Sequence, residues 1–293
     1  PYVKMIDQMV KINIESFNLK EPDDKVRDKV HFIMNNISQA SCESRSLELA
    51  QMLTEDNIPW FASYIVEKRV SGQANFHKLY LDILSNIGNA ALDKAITRST
   101  YYSITKVLQS PTLTTSTADR SILRSLGMWL GQITLARNKP ILQRHLHLKE
   151  LLFWGFETGR LIAVVSFVVK VLEGIKESMI FRPPNPWLMS LLGVLRDLYE
   201  TEDLKMNIKF EVQVLCKNTN IRIEDIPKTG ELVSLHIPLK EGRTLDFNLA
   251  KLGGGSGGAS GGGGKSPTID GVSPVLDGKI GSTSPAGPSG GSG

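Results

Sequence analysis

The chain has 293 residues, 41% of them hydrophobic and 22% charged, with a formal net charge of +4 and two cysteines. That length allows one large or two small domains. The small, evenly mixed charge singles out neither RNA nor an acidic partner. Cys42 and Cys216 are too far apart in sequence to suggest a disulfide framework and fit a reducing compartment. The longest apolar run (161–172) is broken by Lys170 and is too short to span a bilayer, so a soluble intracellular protein is expected. An opening Pro1-Tyr2, with no methionine and no signal peptide, reads as an excised fragment.

In chain order, residues 1–21 read as a short helix and a connector ending near Pro22. Asp23 or Asp24 then opens a helix with Val26, Val30, Ile33 and Ile37 on one face, and another runs from about Glu43 to Leu53. Pro59 stands near the start of a third, where Trp60, Tyr64 and Ile65 share a face. Asn75 is the expected cap of the next, whose stripe is Phe76, Leu79, Tyr80, Ile83, Leu84 and Ile87. A helix over about 90–108 stops at Ser110-Pro111. Asp119 starts one carrying Ile122, Leu126, Trp129, Leu130 and Ile133, which ends at Asn138-Lys139-Pro140.

After an extended link (140–147), helices are expected near 148–157 and 160–176. Leu161–Ile175 is apolar on every side except for Ser166, Lys170 and Glu173, the mark of a helix in the middle of a bundle. Phe181-Arg-Pro-Pro-Asn-Pro-Trp187 follows as a stiff corner. Pro183 and Pro184 cannot continue a helix, whereas Asn185 can cap one and Pro186 fits its first position. Leu188, Leu191, Leu192, Leu195, Leu198 and Tyr199 make the next stripe, and a last helix runs from about Leu204 to Cys216. Short β-like pieces at Asn220–Ile223 and Leu232–Ile237 fall in 218–250, read as extended chain rather than a sheet, and 227–252 is read as an extended C-terminal extension. In 253–293, 16 of the chain's 26 glycines occur in 41 residues with no aromatic residue, so that tail is expected to be disordered. It is either a natural linker or an engineered spacer with an appended peptide. Helix following helix at about 20-residue intervals predicts an all-α fold, an α-solenoid of antiparallel helix pairs.

The sequence holds little chemistry. His145 and His147 form no ligand set, since a site needs three or four members. Gly-Gly-Lys265-Ser266 lacks the first glycine of a phosphate loop, Ala259 standing there, and neither a G-x-S-x-G elbow nor H-E-x-x-H occurs. No cofactor or metal is expected, and the chain is read as a non-enzyme. Trp129 belongs to the core. Trp60 and Trp187, at helix starts beside proline, suit either helix-end packing or an interface anchor.

Several long motifs carry a resemblance: Ile58-Pro-Trp-Phe through Lys68-Arg-Val-Ser and Asn75-Phe-His to Tyr80, then Asp119-Arg-Ser, Leu126–Ile141, FRPPNPW, and Leu204–Asn218. Over 22–226 the chain resembles the MIF4G domains, named for the middle domain of initiation factor 4G, of the scaffold subunits of CCR–NOT deadenylase complexes. The resemblance implies about five helical hairpins (MIF4G/HEAT-like repeats). It also implies a non-catalytic platform that docks a Caf-type deadenylase and a DEAD-box RNA helicase, beside other CCR–NOT subunits. Such a platform supports mRNA deadenylation, decay and translational repression and meets RNA only indirectly. The implied location is cytoplasmic (P-bodies), with a nuclear one also open, and no membrane partner.

Carried over residue by residue, Arg69, Asn75, Phe76 and His77 are expected on the helicase face. Phe181, Arg182, Pro183, Asn185 and Trp187, with Asn138 and Lys139, are expected on the deadenylase face. The alternative is direct RNA binding by the helical surface, for which the clusters Lys68-Arg69 and Arg137–Lys139 are small.

Overall fold

A computed structural model describes residues 2–14, 19–234 and 246–248, all within the unit Pro1–Leu252. The expected tail (253–293), and Ile237 of the second β-like piece, lie outside the described residues. Twelve α-helices are found among them: α1 (Tyr2–Ile14), α2 (Asp24–Asn36), α3 (Cys42–Met52), α4 (Ile58–Ile65), α5 (His77–Ile87), α6 (Ala90–Leu108), α7 (Thr117–Ile133), α8 (Leu148–Thr158), α9 (Leu161–Leu172), α10 (Pro186–Glu200), α11 (Met206–Thr219) and α12 (Glu231–Ser234). No strand occurs among the described residues beyond one isolated antiparallel bridge, Leu204 to Phe247. No helix among the described residues is long and apolar enough to cross a membrane.

The all-helical solenoid is as expected. From α2 to α11 the helices follow one another through short turns; α4, α6, α7, α9 and α11 pack in succession, α3 lies on α5, and α8 and α10 pack together beside them. The apolar α9 is the centre of the stack, with Val164, Phe167, Val168, Val171 and Leu172 wholly buried between α7, α8 and α11. Its polar residues are all partnered. Ser166 donates to Glu211 of α11 at 3.1 Å and also meets Arg124 of α7, while Lys170 pairs with Glu173 at 2.7 Å. Glycine sets the α7–α9 spacing: a Cβ on Gly131 would stand 2.4 Å from the Val171 carbonyl oxygen, and one on Gly127 2.9 Å from that of Phe167.

Several helix starts follow the expected chemistry. Asp23 accepts from the Val26 amide at 2.9 Å, and Asn185 caps α10 by accepting from Leu188 N at 3.1 Å, with Pro186 in the first turn. Others differ. The cap of α7 is Ser116, three residues before its expected start, and it leaves Asp119 to accept from the hydroxyls of Ser110 and Thr112. Asn75 is not a cap: it sits inside a 3₁₀ turn (Ala74–Phe76), and α5 begins at His77 with no capping side chain. Phe76 does not head the buried stripe but is 51% exposed, because the 3₁₀ turn rotates it off the α5 face that carries Leu79 and Ile83.

The chain after α11 is not merely extended. Within the second β-like piece, Leu232 falls in the helical turn α12, packed on α10. In the first, Asn220 takes a left-handed φ of 61° that ends α11. Further on, Asp246 is buried and caps α9 from 85 residues away, accepting from Leu161 N at 2.9 Å and Ile162 N at 3.2 Å. The residue preceding α9, Arg160, supplies no side-chain cap, so these amides depend on a remote carboxylate.

Candidate docking surfaces

The first surface is built on an irregular helix end. After Ile65, α4 widens into a π-helical turn, Val66–Val70, which Ser71 N closes onto Val66 O at 3.0 Å. The Val70 carbonyl then accepts from two side chains, Ser125 Oγ at 2.6 Å and His77 Nε2 at 3.0 Å. His77 is 1% exposed, and its ring meets Trp129 edge-on at 5.3 Å. Burial, more than any other influence, holds its pKa below the usual imidazole range, so the ring is a neutral donor within the core. A partner cannot reach it, and the expectation that His77 lies on a docking face is corrected. The motif spaces it beside Phe76, but the α5 start sends the two residues in opposite directions.

Arg69 is held rather than free. Its Nε and Nη2 donate to the Tyr64 hydroxyl at 3.0 and 2.6 Å, and Nη2 also meets the Asn35 amide oxygen. The guanidinium stands 5.4 Å from the Tyr64 ring centre. Tyr64 in turn stacks on Trp60 at 5.7 Å and lies 4.8 Å from His31. A half-buried band of Trp60, Tyr64, His31 and Arg69 results. Asn75 and Phe76 are exposed nearby in sequence, with Phe76 leaning on Tyr80 at 6.4 Å. Sequence spacing alone does not bring His31 and Asn35 to this band, because the α2 helix that carries them reaches Tyr64 only through tertiary packing.

The second surface is the corner between α9 and α10. A 3₁₀ turn (Glu173–Glu177) ends α9, and buried Ser178 starts the corner. Asn138, left-handed at φ 59°, reaches into it from the end of α7. Its Oδ1 accepts from Ser178 Oγ at 3.0 Å, Met179 N at 2.7 Å and Ile180 N at 3.1 Å. From the other side Asn185 Nδ2 donates to Ile180 O at 3.3 Å. Asn138 and Asn185 therefore hold the corner, Asn138 through its amide oxygen and Asn185 through both ends of its amide. Phe181 and Trp187 pack edge-to-face at 5.6 Å and are half-buried, whereas Arg182 and Pro183 are exposed. Lys139 is also exposed and stands 3.8 Å from Asp93.

The most outward apolar groups here are ones the sequence reading passed over: Met179 is 66% exposed and Ile180 56%. The available signal was an apolar triplet, Met179–Phe181, placed after a helix end rather than on a stripe. Elsewhere, His147 caps α8 and His145 stacks on Tyr101. No group of three or more metal-ligating side chains that could hold an ion occurs among the described residues.

Residues 18–240 match the family model described as the CCR4-NOT transcription complex subunit 1 CAF1-binding domain. The chain belongs to that family. The CAF1-binding domain family is defined by a binding role, not by catalysis. Related proteins include the general negative regulator of transcription subunit 1 of Schizosaccharomyces pombe, 39% identical over 75% of this chain. Another is the CCR4-NOT transcription complex subunit let-711 of Caenorhabditis elegans, 36% identical over 79% of the chain. The general negative regulator of transcription subunit 1 of Saccharomyces cerevisiae is 35% identical over 70%. The chain spans about a tenth of the length of these relatives, 10%, 9% and 10% respectively.

Proposed function

We propose that this chain is a non-catalytic docking platform of a CCR–NOT complex, and that the 178–187 corner receives a Caf1-type deadenylase. The observation that carries this is the pairing of solvent-exposed Met179 and Ile180 with a backbone held by two asparagine side chains, in a chain of the CAF1-binding family. An exposed apolar group on a pre-ordered loop loses little conformational freedom when covered, which is the property of a binding hot spot. The band of Trp60, Tyr64 and Arg69 with Asn75 and Phe76 is the proposed seat of a DEAD-box helicase. That second docking would tie the platform to translational repression as well as mRNA decay. It rests on the resemblance and on the exposed Phe76 ring.

Titration calorimetry with a purified Caf1-type deadenylase tests the first assignment. Met179→Ser with Ile180→Ser should weaken binding at least tenfold and leave the melting temperature within a few degrees, since neither side chain is buried. Phe76→Ser should affect only the helicase. Unchanged deadenylase binding by the Met179/Ile180 variant would remove the corner from the proposal.

A further inference from the structure

A groove of ≈ 430 Å³ lies between the π turn after α4, the C-terminal half of α6 and the N-terminal half of α7, and neither docking assignment uses it. That volume is within the range of about 300–1,000 Å³ typical of ligand sites. The π turn serves two surfaces: Arg69 bonds to Tyr64 and Asn35, while Glu67 and Lys68 line the groove. Val107, Ile122 and Leu126 give it an apolar lining. Three serines border it, and two are committed. Ser71 Oγ donates to Glu67 O at 2.6 Å, and Ser110 Oγ donates to Asp119 Oδ2 at 2.7 Å. The third, Ser103, is 6% exposed, and its Oγ has no hydrogen-bond partner. Native proteins seldom leave a buried hydroxyl so, because desolvation without a partner costs free energy.

We infer that this groove receives a tyrosine side chain from an extended segment of a partner protein, with an acidic residue beside it in that segment. The apolar lining takes the ring and Ser103 takes the phenol. A phenylalanine or leucine in the same place would seal the Ser103 hydroxyl from water and leave it unpaired. An indole N–H can only donate, whereas a phenol both gives and accepts, which serves both needs of a serine hydroxyl. The acidic neighbour follows from Lys68 and Lys106, which enter from the π turn and from α6. Both are exposed, and neither forms an ion pair among the described residues; Lys106 only leans on the Tyr102 ring at 5.9 Å. Asp119 already accepts from the Ser110 and Thr112 hydroxyls, so half-buried Glu67 is the one carboxylate left to oppose these two cations. The inference stands on the groove alone and depends on neither docking assignment.

The test is an NMR titration of the ¹⁵N-labelled chain with a short capped peptide that carries a tyrosine between two aspartates, and with its phenylalanine and tryptophan counterparts. The tyrosine peptide should shift amides of the π turn, α6 and α7 saturably. It should bind at least about fivefold more tightly than either counterpart. Ser103→Ala should bring the tyrosine and phenylalanine peptides to equal affinity, a convergence that a purely structural role would not produce. Lys68→Gln with Lys106→Gln should weaken the tyrosine peptide about twofold to fivefold and leave a peptide with asparagines in place of the aspartates unaffected. Circular dichroism melts confirm that each variant is folded. Phe76→Ser should bind the peptide as the wild-type chain does, which separates this groove from the helicase seat. No saturable binding at millimolar peptide, equal binding of the phenylalanine or tryptophan peptide by the wild-type chain, or a tyrosine preference that survives Ser103→Ala would overturn the inference.

Discussion

Asn138 offers the sharpest test of the proposed docking corner, because one amide oxygen accepts three hydrogen bonds from the loop it supports. Replacing it by glycine keeps the left-handed backbone and removes only the acceptor. Each lost bond is worth about 0.5–1.5 kcal/mol, but water can replace the partner at the exposed Met179 and Ile180 amides. Only Ser178 is buried, so Asn138→Gly should cost about 1–2 kcal/mol in urea unfolding. Asn138→Ala adds the strain of a left-handed residue bearing a Cβ, about 1–2 kcal/mol more. Asn138→Asp keeps the acceptor and should stay close to wild type. If the corner must be re-ordered before it binds, the glycine variant should lose affinity for a Caf1-type deadenylase by about 5–30-fold, the equivalent of 1–2 kcal/mol. Glycine and aspartate variants that match each other in both assays would refute the claim that this acceptor pre-orders the corner.

Three further outcomes follow from the core. Gly131→Ala drives a methyl group against the Val171 carbonyl and should cost about 1–3 kcal/mol, read as a lower urea midpoint; an unchanged midpoint would mean that α7 and α9 can part freely. The folded-state pKa of His77 is lowered, so the stability it contributes is present above the ordinary imidazole value and is lost as pH falls through the folded one. Urea midpoints measured from pH 7.5 to 5 should therefore fall on acidification, and less steeply in His77→Gln. Asp246→Ala removes the cap of α9 and should cost about 0.5–2 kcal/mol. Burial holds the Asp246 carboxyl above its ordinary range, so its charge costs stability as pH rises from that range through the raised value. Asp246→Asn should remove that slope from melts taken between pH 3.5 and 7.

Much of the candidate site was legible before folding, and the failures share a cause. The FRPPNPW corner was readable because proline and a capping asparagine act on their immediate neighbours; Asn185 caps α10 through a residue three positions on. Asn138 was placed on the deadenylase face from its motif, and it does reach that corner, but as a brace whose amide oxygen is spent on the loop. His77 and Phe76 were grouped because they adjoin in sequence. A single 3₁₀ turn sends one ring into the core and the other into solvent.

Local physics in the chain thus determined the helical class, the position of nearly every helix, the apolar centre at α9 and the stiff corner. These depend on periodicity and on residues within one turn of each other. Only the tertiary structure decided which side chains face outward at Met179 and Ile180, that Ser103 and Lys68 line one groove, and that Asp246 caps a helix 85 residues before it. Those are contacts between segments distant in the chain, set by how helices pack, and no local spacing encodes them.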